Sequence, residues 1–121
     1  ARAYGLQEKW SDAVAELTAI LDELPQHDEA LLLRASMYRA DGQMSACAAD
    51  LANYLTLWPN DPDGLLERGL LKMDVLNLPG AKADFLRVVE LAPQSPAAAG
   101  AKTALAKLAF REESRAAASS Q

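Results

Sequence analysis

The 121-residue chain holds one cysteine and one histidine, and each scarcity closes off a class of function. A single cysteine, Cys47, can form neither an internal disulfide framework nor a cysteine-based zinc site. The lone histidine, His27, would need partners to catalyse a reaction or bind a metal, and its neighbours Asp28 and Glu29 read as helix-start carboxylates. No glycine-rich phosphate loop, zinc-protease helix pair or nucleophile elbow occurs. Apolar runs last only a few residues, too few to cross a bilayer as a helix. Basic residues are outnumbered 17 to 12, and the resulting formal charge of −5 disfavours a nucleic-acid surface. The chain opens Ala1-Arg2-Ala3-Tyr4 with neither Met nor a secretory pattern, and is expected to be a piece of a longer parent.

What is present is core material: 50% of the residues are apolar and 24% are charged, the balance of a folded domain. Proline sets the rhythm. Pro25, Pro59 and Pro93 recur at equal intervals (59 − 25 = 93 − 59 = 34), each after an apolar stretch: Leu17 to Leu21, Leu51 to Leu55, Phe85 to Val89. Small residues keep the same register at Ala13, Cys47 and Ala81, and again at Ala1, Ala35 and Gly69. Such a period marks stacked supersecondary units.

In the best-preserved unit the recurring positions are Ala35, Tyr38, Gly42, Cys47, Leu51, Tyr54 and Pro59. This pattern resembles the tetratricopeptide-repeat (TPR) family. It departs from the family at Lys72, where tyrosine is usual, at Leu76, where the turn glycine is usual, and at Leu31 and Leu65, which hold the usual tryptophan place. The resemblance implies an all-α, right-handed superhelix of antiparallel helix-turn-helix repeats with a C-terminal capping helix. The expected division is a single domain over 1–115, made of a partial repeat at 1–27, repeats at 28–61 and 62–95 and a capping helix at 96–114, with a frayed tail at 116–121.

Local signals agree. Asp61-Pro62 and Ser95-Pro96 each read as an N-cap followed by proline at the first helical position. Gly42 can end a helix with positive φ, while Ser11, Ser45 and Pro79 are expected to open second helices. The spacing therefore predicts helices over 2–8, 11–23, 28–41, 45–57, 62–76, 79–91 and 96–114.

Acidic pairs (Asp22-Glu23, Asp28-Glu29, Asp61 with Asp63, Glu112-Glu113) fit helix ends or exposed faces rather than acid–base catalysis. Asp61-Pro62-Asp63 is too short for a calcium loop, and Cys47 fits a small buried position. No catalytic residue, cofactor or metal ligand is assigned, and a non-enzymatic role as a scaffold, adaptor or chaperone-like module is expected.

The family resemblance implies a concave groove on the first helices of the repeats. Carried over, its positions are Glu29, Leu32, Leu33, Ser36, Arg39 and Ala40, then Asp63, Leu66, Glu67, Leu70, Met73 and Asp74, with Tyr4 to Gln7, Ala99, Lys102 and Thr103 at the ends. The lysines and asparagines of the family's carboxylate clamp are missing, since Leu32, Ser36, Leu66 and Leu70 stand there. The expected partner is a protein or peptide segment, apolar or basic, with Arg39 as the main donor and no membrane insertion. Three alternatives stay open: an appendage of a larger enzyme, a self-association module whose partial first repeat pairs with another copy, and leucines covered by a further helix. An RNA-binding array is disfavoured by the charge.

Overall fold

The period seen in the sequence is repeated bond by bond in the backbone. After each apolar stretch the chain leaves a helix through one amide-to-carbonyl bond: Leu24 to Ile20, Trp58 to Tyr54, Ala92 to Val88, at 2.8–3.0 Å. It then turns at Pro25, Pro59 or Pro93, where an amide is not required. The next helix is capped three times in the same way. Ala30 N donates to His27 Nδ1 at 3.2 Å, Gly64 N to Asp61 Oδ2 at 3.1 Å, and Ala98 N to Ser95 Oγ at 3.0 Å. Each cap satisfies a first-turn amide that has no partner within its helix.

The computed structural model describes the backbone from residue 2 to 119 and side chains from 9 to 115. It contains six helices: α1 (Arg2–Glu23), α2 (Asp28–Ala40), α3 (Met44–Leu57), α4 (Pro62–Asp74), α5 (Leu78–Leu91) and α6 (Pro96–Ser119). No strand occurs among the described residues. The pairs α2–α3 and α4–α5 are antiparallel hairpins, and each helix packs on its neighbours in a row, giving an all-α helical-repeat superhelix.

Within a hairpin the turns also match. Gly42 and Leu76 stand one period apart, with φ of 79° and 65°. Gln43 N reaches Tyr38 O and Asn77 N reaches Lys72 O, both at 2.8 Å. These bonds close the first helix with one left-handed residue.

Three local expectations are corrected. The break between 2–8 and 11–23 is absent: α1 runs through Ser11, so Ser11 caps nothing and no short first hairpin forms. Ser45 is not a cap either. Gln43 precedes α3 without a side-chain cap, and α5 begins at Leu78, capped by Asn77 accepting from Gly80 N at 3.2 Å, one residue before Pro79. The third concerns α6, which continues to Ser119, past the expected end at 114; fraying of the last side chains concerns positions outside the described residues.

The core forms where small residues let helices approach. A Cβ on Gly64 would lie 2.6 Å from the Tyr54 ring, and one on Gly69 2.5 Å from the Phe85 ring. Phe85, Leu51, Val88 and Cys47 are the largest fully buried side chains. Tyr54 is additionally held by its hydroxyl, which donates to Asp61 Oδ2 at 2.6 Å, and by a tilted contact with Trp58, 5.0 Å between centroids.

Candidate functional site

Helices α2 and α4 lie side by side, and their residues at helical spacing share one face. Glu29, Leu32, Leu33 and Ser36 from α2 meet Asp63, Leu66 and Glu67 from α4 around a depression of about 370 Å³. These expected groove positions are thus gathered in one place. Three leucines make its floor and sides; three carboxylates ring it. A Cβ on Gly100 would come 3.3 Å from Leu66, so α6 closes in beside the same leucine.

The electrostatics are one-sided. Desolvation, then the nearby Asp61 and Glu67 charges, holds the Asp63 carboxyl above its ordinary aspartate value. Arg39, expected to face a partner as a donor, is already engaged. Its Nε donates to Glu67 at 3.1 Å and its Nη1 to Asp74 at 3.4 Å, tying α2 to α4. Burial alone would lower the guanidinium pKa, but Glu67 and Asp74 outweigh it and raise it. Its charge is therefore spent inside the chain, and the Arg39–Glu67–Asp74 cluster forms one wall of the groove rather than a donor awaiting a ligand.

Leu70 and Met73 also sit differently from expectation. Both are half-buried and pack against the main core. Ala40 is exposed at the end of α2, outside the depression. Ala99, Lys102 and Thr103 do not line it: they are the equivalents of Leu65, Arg68 and Gly69, which face the second helix of a hairpin. The side chains of Tyr4 to Gln7 lie outside the described residues.

No family profile and no curated protein sequence matches the chain. Two solved structures do share its architecture. The first TPR of Spaghetti (RPAP3) bound to the HSP90 peptide SRMEEVD is 24% identical with a TM-score of 0.76, covering 91% of this chain and 85% of that one. The first TPR domain of the human RPAP3 protein, solved by NMR, is 24% identical with a TM-score of 0.76, covering 93% of each. The chain has the TPR fold.

Within that fold the residues the sequence reading missed form the seam between first and second helices. Arg34 Nε and Nη2 donate to both oxygens of Asp50 at 2.8 and 2.7 Å. Arg68 does the same to Asp84 at 2.9 and 2.8 Å, with Lys72 Nζ also 3.1 Å from Asp84. Asp50 and Asp84 are only 4% and 5% exposed. In each pair the hydrogen bonds to aspartate hold the arginine pKa up against burial. The signal was available: Arg34 with Arg68, and Asp50 with Asp84, keep the same period as the prolines. Arg34 also donates to Thr18 at 3.1 Å and covers the Tyr38 ring at 5.7 Å, linking α1 to this seam.

Cys47 lies inside the same hairpin, fully buried, and its thiol pKa is pushed up to about 11, chiefly by burial and next by Glu67. A thiol so placed is a small hydrophobe, not a nucleophile. No group of three metal-ligating side chains occurs among the described residues.

Proposed function

We propose that this TPR domain is a protein-interaction module whose α2–α4 groove takes a basic, amphipathic peptide or partner helix. The observation that carries the reading is the ring of Glu29, Asp63 and Glu67 around Leu32, Leu33 and Leu66, with Arg39 committed to internal pairs. Leucines supply contact area, and the carboxylates steer lysine or arginine toward it and repel acidic segments. The partner is a peptide or helix of that chemistry, held without catalysis.

The structural neighbour carries SRMEEVD, a peptide with three acidic residues. The groove described here has no lysine among its lining residues and three carboxylates. It is therefore built against such a tail, and selectivity follows from repulsion as much as from attraction.

Fluorescence anisotropy with two labelled peptides tests this: an amphipathic helix bearing lysines, and SRMEEVD. The basic peptide is expected to bind, more weakly as salt rises, and the acidic one to show no saturable binding. Leu33→Glu, at an exposed position, should lower affinity for the basic peptide about tenfold or more without loss of helicity. Equal binding of both peptides, or indifference to Leu33→Glu, would overturn the reading.

A further inference from the structure

The two ends of the stack are complementary halves of one repeat. Residues 10–23 of α1 stand one period before α3, so they are a second helix with no first helix against them among the described residues. Helix α6 begins one period after α4, so it is a first helix that never turns back.

Burial follows this division. On second helices, the position held by Tyr54 and Val88 is 5% and 0% exposed, yet its α1 equivalent, Ile20, is 41% exposed. On first helices, Ala35 and Gly69 are buried, yet their α6 equivalent, Thr103, is exposed. The positions left open at the two ends are those that seal the hairpins in the middle.

Charge follows it too. The seam is pinned by Arg34–Asp50 in one hairpin and Arg68–Asp84 in the next. One period beyond Arg68 stands Lys102, and one period before Asp50 stands Glu16. Both are exposed, and neither makes an ion pair among the described residues. Their signs match the pair they continue. Size is complementary as well. Gly69 receives the Phe85 ring and Ala35 lies in one cluster with Leu51, whereas the bulkier Thr103 would meet Leu17, which has no ring.

We propose that α6 of one copy packs antiparallel against α1 of another, completing a composite repeat and extending the stack head to tail. Lys102 of one copy then pairs with Glu16 of the next, in the place of the internal Arg–Asp pairs. The helices have matching lengths, 22 and 24 residues, and both run past the point where an internal hairpin turns. Because the contact joins unlike surfaces, it does not close on itself, and association is open-ended rather than dimeric. It uses the seam, not the α2–α4 groove, so it stands independently of the groove reading.

Sedimentation velocity and light scattering of the 121-residue chain over a hundredfold concentration range test the proposal. The weight-average mass is expected to climb from 13.0 kDa through successive multiples without a plateau at two. Lys102→Glu alone and Glu16→Lys alone each bring like charges together and should raise the concentration needed for association about tenfold. Mixing those two single variants restores opposite signs where unlike copies meet and should restore association. Circular dichroism of each variant should match the parent, since both positions are exposed. A constant mass of 13.0 kDa, a plateau at the dimer for the parent chain, or failure of the mixture to associate would each overturn it.

Discussion

Leu76 holds φ at 65° where its counterpart is Gly42 at 79°. A left-handed leucine costs roughly 1–2 kcal/mol, and glycine loses about 0.5–1 kcal/mol of that relief through its freer unfolded chain. Leu76 is largely exposed, so it returns little by packing. Leu76→Gly should therefore raise stability by about 0.5–1 kcal/mol in urea titration, whereas Gly42→Leu should lower it by about 1–2 kcal/mol. His27 caps α2 through Nδ1 where Asp61 and Ser95 cap the later helices. Aspartate is the stronger cap, so His27→Asp should add roughly 0.5–1 kcal/mol by the same titration. Asp63 has the opposite balance. Its folded-state pKa is raised, so its ionised form is less stable folded than unfolded. That penalty is present above the folded pKa and vanishes below the ordinary aspartate value. Asp63→Asn should accordingly raise stability at neutral pH and change little in acid, as followed by thermal unfolding across pH.

At the scale of helices, the seam between first and second members of a hairpin decides what can be substituted. Removing Arg34 leaves the buried Asp50 carboxylate without an ion partner, while removing Arg68 leaves Asp84 beside Lys72 at 3.1 Å. Arg34→Ala should thus cost about 3 kcal/mol, and more than Arg68→Ala; equal losses would show that Lys72 does not compensate. Phe85→Ala empties the space below Gly69 and should cost roughly 3–5 kcal/mol by denaturant unfolding. The seam also shows what was legible in advance. Proline and small-residue spacing located the hairpins, because each such residue acts through its own backbone or its own volume. The Arg–Asp pairs escaped notice although they keep the period, since a charged residue at helical spacing reads equally well as a solvated face. The groove was legible at its leucines and carboxylates for the same reason the hairpins were. Its donor was not: only the distances between α2 and α4 reveal that Arg39 is claimed by Glu67 and Asp74. Leu70 and Met73 are similar, being on the groove side by register yet half-buried against the core. Substituting both by glutamate would test packing rather than binding.

Across the whole molecule, each hairpin contacts only its neighbours, so stability is shared along a line rather than around a centre. Helix α4 packs against α2, α3, α5 and α6, whereas α1 packs against α2 alone. Local opening should therefore cost least at α1 and most in the α4–α5 hairpin. Native-state hydrogen exchange should show protection highest in α4 and α5, falling toward α1 and toward the last turns of α6. Uniform protection would mean that the stack opens only as a single unit. The same measurement distinguishes an array with two bare ends from one whose ends meet. If α1 of one copy covers α6 of another, protection at residues 10–23 and 96–109 should rise with protein concentration while α4 and α5 stay unchanged. Mass action predicts that selectivity, because only the junction helices gain a partner when copies associate.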